Sequence, residues 1–398
     1  DKDALRDGRR NQALCRLDDG ADAVLRVLRG RGLRVWDDAD KEYLDFCSGI
    51  AVTSLGHCHP KVVEAIQKQT KNYLHVMVYG EYAQSPAVEY TKLLSENITI
   101  PNAKTYLVNS GTEAIEGALK LARRYTGKKE IIAAHNAYHG NTMGSLSLMD
   151  FEERKKPFEP LLPEISFLDF NQETSIEKIT PQTAAVILET IQGGAGFIQP
   201  QHDFLKKVKQ KCEEVGALLI LDEIQPGFGR TGKLFAYEHY GIVPDILVIG
   251  KGMAGGMPAG AFIASAKLMD SLSDNPKMGH ITTFGGNPVV AAASLATLKE
   301  ITSTTLIEET LQKEKLFRKL LVHPLIKEIR GKGLMLAPIL YSDKIANELI
   351  LRAKEKELIL FWLLFEKRAV RITPPLTISE TEIKKGCSII LDILNEIQ

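Results

Sequence analysis

Residues 244–260 read PDILVIGKGMAGGMPAG: a solidly apolar run ends in a lysine, Lys251, and glycines follow at once. An ammonium is costly to take out of water unless it is paired or neutralised, so a lysine closing a buried strand demands a chemical reason. Other runs have the same character. KTYLVN (104–109), EIIAAH (130–135), AAVILET (184–190), ALLILDE (217–223) and AGAFIAS (259–265) are short, continuous and apolar. Helical periodicity fills the gaps, as in SGTEAIEGALKLARRY (110–125), capped by Ser110, and HDFLKKVKQKCEEVG (202–216). Short strands that are apolar on both faces and alternate with helices make a mostly parallel sheet covered on both sides, an α/β fold.

The bulk numbers agree with a soluble enzyme-sized chain. Its 398 residues are too many for one simple core. Fifty Lys+Arg balance fifty Asp+Glu, which removes any electrostatic reason to expect nucleic acid or an anionic membrane. No apolar run is long enough to span a bilayer, and the most apolar stretch, ELILFWLLF (357–365), reads as a buried strand. Cysteines at 15, 47, 58, 212 and 387 are scattered without metal-ligand spacing, which predicts reduced thiols, a cytoplasmic location and no metal. The first 36 residues are Arg-rich, but Asp3, Asp7, Asp18, Asp19 and Asp22 interrupt them, unlike a transit peptide. The expected division is an N-terminal arm (1–45), a large domain (46–285) and a smaller α+β domain (286–398) against which the arm can pack. The second boundary follows from the break at TTFGGNP (282–288), after which an Ala-rich helix begins.

Three strand ends gather polar groups, and ligands bind at the carboxyl ends of parallel strands. NSGTEA (109–114) opens a helix, where free N–H groups and the helix dipole suit a phosphate. Alone it is equally an ordinary cap, and it lacks the GxxxxGK[ST] spacing of a nucleotide loop. LLILDEIQ (218–225) ends in Asp222-Glu223, of which only one can face a shared ligand. A lone buried aspartate suits the protonated nitrogen of a ring, or it is structural. A desolvated Lys251 is a nucleophilic amine able to form a Schiff base; left in water it is a plain surface charge. An anion nest, a ring-nitrogen acceptor and a Schiff-base lysine are together the contacts that pyridoxal phosphate requires.

The chain resembles the class III aminotransferases of fold type I, the acetylornithine/ornithine aminotransferase group in particular. LDFCSGIAVTSLGHCHPKV, NSGTEAIEGALKLARRYTG, NAYHG, LLILDEIQ, GFGRTG, PDILVIGKGMAGGMPAGAF, TTFGGNP and RITPPL match in order over about residues 35–398. The resemblance implies that Lys251 forms the Schiff base and Asp222 holds the pyridinium nitrogen. It implies phosphate contacts from Ser110, Gly111 and Thr112, ring stacking by Tyr138 beside His139, and Gln225 at the ring's phenolic oxygen. Thr283 would reach the phosphate of a neighbouring subunit, making a homodimer with a shared active site. Arg371 would receive the substrate carboxylate. The implied reaction moves an amino group from an amino acid or ω-amine to a 2-oxo acid.

Three positions depart from that pattern. Gly194 stands where ornithine-type members carry a glutamate that masks the carboxylate-binding arginine. Asn141 replaces the arginine of the family's HGRT motif, and an amide cannot supply that charge. Ile50 replaces a substrate-binding tyrosine. Either another residue supplies the missing charge, or Arg371 alone grips a monocarboxylate. Pro226, where the family has a small polar residue, stiffens the loop after Gln225. An amino-acid racemase or epimerase, an amine:pyruvate-type transaminase and an inactive binding protein with this fold remain the alternatives.

Overall fold

The computed structural model describes residues 25–397. Most of the Arg-rich arm, with Cys15, lies outside the described residues. From Leu25 onward the chain forms a ribbon of three antiparallel strands, β1 (Val27–Arg31), β2 (Arg34–Asp37) and β3 (Glu42–Asp45). The larger sheet has seven strands: β4 (Ala103–Val108), β5 (Glu130–Ala134), β6 (Ile165–Leu168), β7 (Thr183–Glu189), β8 (Leu218–Asp222), β9 (Ile246–Gly250) and β10 (Gly260–Ser265). Their spatial order is β4-β10-β9-β8-β7-β5-β6. Only β10 runs against its neighbours; the β5–β9 pairs are parallel. The α/β expectation holds. The sequence pattern misses β6, whose four residues ISFL are too short to stand out.

Strands β7, β8 and β9 are buried at every residue, and their side chains sort by the two-residue period of a pleated strand. Ile187, Ile220 and Val248 face the helix Gly111–Thr126, which buries Ile115, Ala118 and Ala122 against them. Val186, Leu188, Leu219, Leu221, Leu247 and Ile249 face the other way, toward Phe204 and Val208 of the helix Phe204–Val215. This double covering is what removes water from the strand ends.

A second core gathers Leu44, Phe46, Phe317, Leu336, Ile350, Ile383 and Ile390. It draws on the helices Leu306–Leu320, Asp343–Glu355 and Glu380–Ile397 and on β3, beside which Leu358–Ile359 pairs in parallel. The helix Pro288–Ser303 belongs elsewhere, although the sequence boundary at 286 assigns it to the second domain. Its Ala293, Leu298 and Ile301 pack into the core of the large sheet.

ELILFWLLF is not one buried strand. Leu358–Ile359 and Phe361–Trp362 join different sheets, and Phe361 is 42% exposed. The stretch is apolar for two reasons: Leu358 and Leu360 fill the second core, and Phe361–Leu364 wall a cavity.

Gly260 shows how tightly the sheet is built against the first helix: a Cβ there would lie 2.1 Å from the carbonyl oxygen of Ser110. Backbone on both sides of the contact leaves nothing flexible to give way. Gly260→Ala is expected to cost about 1–3 kcal/mol, as overpacking does. A thermal melt should show the lower Tm; an unchanged Tm would mean the Ser110 turn can shift freely.

Candidate active site

The carboxyl ends of β7, β8 and β9 open onto a cavity of about 700 Å³. Asp222 ends β8, Glu189 ends β7 in register beside it, and Lys251 directly follows β9. The N-terminus of the helix Gly111–Thr126 contributes Gly111 and Thr112 to the wall, and the loop after β5 contributes Tyr138, His139 and Asn141. Gln225, Arg371, Ile50 and Gly194 complete the group of sequence-predicted residues on the cavity wall. Ser110 sits just behind it as the cap, its hydroxyl accepting the N–H of Glu113 at 3.3 Å. Thr283 is exposed and does not line this cavity.

Asp222 is 3% exposed and both its oxygens are engaged. Oδ2 lies 2.8 Å from Nδ1 of His139, and Oδ1 accepts the N–H of Ile224 at 2.9 Å. Its neighbour Glu223 points to the opposite face, as strand alternation requires. There it accepts the Thr190 hydroxyl (2.7 Å) and the N–H groups of Ala236 (2.9 Å) and Tyr237 (2.8 Å). Glu223 is thus a fastener for the following loop and does not reach the cavity. Asp222 is the carboxylate that does.

Lys251 takes a left-handed φ of 40° at the first residue after its strand. Such a backbone costs a side-chain-bearing residue energy and is commonly found where a site fixes a group's direction. Burial pushes its amine pKa down; Asp222 opposes that shift and Arg371 adds to it. The lysine is therefore biased toward the neutral, nucleophilic amine. This answers why a lysine ends a buried strand.

Glu189 is the residue that sequence reading passed over, although a second carboxylate at a strand end, level with Asp222, was a usable signal. It accepts the N–H groups of Gly193 at 3.0 Å and Tyr138 at 3.2 Å. Burial raises its pKa to about 7, against the pull of His139. Arg371, 5% exposed, donates to Oε1 of Gln225 and lies 5.4 Å from the ring of Phe197. Burial pushes its pKa down. Asn141 donates to the Tyr138 hydroxyl at 3.3 Å, so this amide steadies the aromatic ring.

Ile50 reaches the cavity from an unusual turn. Ser48, Gly49, Ile50 and Ala51 all have φ between 51° and 66°. A left-handed turn of L-residues costs about 1–2 kcal/mol per residue, so something must hold it. Asp45 accepts the N–H groups of Cys47 (2.8 Å) and Ser48 (2.9 Å), while His57 braces its other oxygen at 2.8 Å. Thr373, two residues after Arg371, donates its hydroxyl to the Cys47 carbonyl at 2.9 Å.

The residues present fit pyridoxal phosphate. Helix N–H groups suit its phosphate, an aromatic face its ring, a carboxylate its ring nitrogen, and an amine its aldehyde. Two buried nitrogens here, Nε2 of His139 and Nε of Arg371, have no partner among the described residues. Buried polar groups are rarely left so, and a bound group can supply what is missing.

Comparison with known proteins points the same way. Residues 18–394 match the sequence profile of the family described as aminotransferase class-III. The acetylornithine aminotransferase of Caldanaerobacter subterraneus subsp. tengcongensis is 41% identical over 384 residues, 94% of this chain and 95% of that protein. A [LysW]-aminoadipate semialdehyde/glutamate semialdehyde transaminase of Sulfurisphaera tokodaii is 41% identical over 323 residues, 79% of this chain and 81% of its own. Among solved structures, the ornithine aminotransferase of Toxoplasma gondii, with partial occupancy of PLP at its active site, superposes with a TM-score of 0.89 at 29% identity, covering 100% of this chain and 98% of that one. The chain belongs to the class III aminotransferases and is a pyridoxal-phosphate-dependent transaminase.

Proposed function

We propose that this transaminase takes its amino group from an N-acylated diamino acid of the acetylornithine kind and passes it to a 2-oxo acid. The observation carrying the donor class is the apolar wall of Ile50, Phe361, Trp362, Leu363 and Leu364, which shares the cavity with Lys251. An uncharged acyl chain packs on such a wall, whereas a second free ammonium, as in ornithine, would be desolvated against it. The names of the curated relatives support the same donor.

Each residue then has a defined task. Pyridoxal phosphate, when bound, supplies an aldehyde that condenses with amines and a ring that accepts the electrons left by a departing proton. Lys251 Nζ would hold that aldehyde and would move a proton between the donor's amine-bearing carbon and the cofactor. Asp222, oriented by His139, would hold the proton on the ring nitrogen. Gly111 and Thr112, preceded by the Ser110 cap, would receive the phosphate, with Tyr138 against the ring and Gln225 facing its oxygen. Arg371 receives a substrate carboxylate, and the absence of a side chain at Gly194 leaves it unmasked.

We also propose a cytoplasmic homodimer in which Thr283 of each subunit completes the phosphate site of the other. Support comes from an exposed apolar group, Leu74, Met77, Tyr79, Ile281 and Phe284, flanking Thr283. The two loops that carry it meet where His75 and Phe284 approach within 5.1 Å. Apolar patches of this kind mark association surfaces. Among the described residues no helix is long and apolar enough to cross a membrane. Within the subunit the large domain runs to Ser303, which keeps the helix Pro288–Ser303 with the core it packs into, and the smaller domain follows.

Adding N-acetylornithine, ornithine, 4-aminobutyrate, alanine and an arylamine in turn to the cofactor-loaded enzyme should bleach the visible band fastest with N-acetylornithine; faster bleaching by ornithine would overturn the donor class. Borohydride should fix the cofactor on the peptide containing Lys251. Lys251→Ala should trap none, and Asp222→Asn should lose about 10²-fold or more in kcat, the scale of removing one preorganised charge. Phe284→Asp should convert a species of twice the chain mass into single chains with weakened cofactor retention; a wild-type chain sedimenting alone would refute the shared site.

A further inference from the structure

We propose that Arg154 is a substrate-binding residue: its guanidinium, on the rim of the same cavity as Arg371, receives a carboxylate at the end of the substrate away from the reacting carbon. The inference rests on the reading above only for where that carbon lies.

Arg154 belongs to the short helix Glu152–Lys155 and is an exposed residue on the cavity rim; its backbone N–H donates to the Phe151 carbonyl at 3.1 Å, but its guanidinium makes no hydrogen bond and no ion pair with any described residue. Its neighbour Lys155 is engaged, lying 3.8 Å from Glu152 and 5.4 Å from the centre of the Phe167 ring. The cavity's own carboxylates are not available as counter-ions. Asp222 is held by His139, and Glu189 by the N–H groups of Gly193 and Tyr138. The Arg154 charge is felt inside the site, where it opposes the effect of burial on the Tyr138 phenol. A guanidinium with five donors, turned toward a cavity and lacking an internal partner, has the chemistry of a carboxylate receptor.

Packing explains how the turn is held there. Phe151, directly before the helix, stacks on Phe365 with ring centres 4.2 Å apart and planes 15° from parallel. Phe365 donates its N–H to the Gly194 carbonyl at 2.9 Å. Its ring lies 2.8 Å from where a Cβ at position 194 would stand. The space that a side chain at 194 would need is therefore filled by the aromatic ring that anchors the Arg154 turn. Asn141, another of the three altered positions, donates to the Tyr138 hydroxyl and carries no charge. Two guanidiniums on one cavity, one buried and one at the rim, suit a dicarboxylate for one half-reaction.

The test compares glutarate with valerate, equal in chain length and differing in one carboxylate, binding to the cofactor-loaded enzyme by calorimetry. The wild type should bind glutarate more tightly. Arg154→Gln should weaken glutarate about tenfold or more, the worth of a charge-assisted hydrogen bond, and leave valerate unchanged. Arg154→Lys should recover part of the difference, and Lys155→Gln should change neither ligand. In turnover Arg154→Gln should raise KM for 2-oxoglutarate but not for pyruvate, with kcat nearly constant. Equal binding of the two acids by the wild type, or equal effects of Arg154→Gln on both, would make Arg154 a solvated surface charge and sink the proposal. If glutarate discrimination depends on Arg154 but no amino group is transferred from any donor, the inference stands and the proposed reaction falls.

Discussion

The rest of the site depends on one constraint: a carboxylate at the end of a fully buried strand must have every oxygen engaged. Asp222 meets it with His139 on one side and the Ile224 N–H on the other. An unpaired ion in that place would be protonated or would pull the strand end apart. With both oxygens held, the carboxylate has one orientation. Glu223 obeys the same rule on the opposite face and does a different job, tying Ala236 and Tyr237 to the sheet. Strand alternation alone sends one of two adjacent acids to the cavity and the other to construction.

Two of the chain's left-handed residues sit on the cavity wall, and the turn that bears one of them is held by polar contacts outside it. Lys251 and Ile50 both carry left-handed backbones and both face the same space. Asp45, His57 and Thr373 secure the turn bearing Ile50 without entering the cavity themselves. Thr373 also ties that turn to the strand of Arg371, so Ile50 and Arg371 are positioned by a shared contact. Preorganisation of this sort is what a proton-transfer site needs, since a reacting atom displaced by a fraction of an ångström loses much of its rate.

The apolar stretch 357–365 shows how a single segment can serve two cores at once. Leu358 pairs beside β3 in the smaller core, Leu363 and Leu364 wall the cavity, and Phe365 fills the space next to Gly194. Substrate shape is thereby coupled to the packing between the two cores.

The sequence by itself determined the sheet and the chemistry at its edge. Six of the seven strands are legible as continuous apolar runs, because strands covered on both faces have no polar alternation to confuse the pattern. Asp222 and Lys251 are legible for the same reason: a charged residue ending an apolar run has few explanations. Glu189 was equally exposed to that logic and was missed because no motif drew attention to it. What the sequence did not determine was which distant segments meet. The helix Pro288–Ser303 crosses the expected boundary because its Ala-rich face fits the large core, and ELILFWLLF has the composition of a strand whether it fills a core or lines a cleft. Arg154 carries no local signal at all. Its place at the cavity follows from Phe151 meeting Phe365 over two hundred residues later, and contacts between segments so far apart are set by packing geometry, which only the folded chain decides.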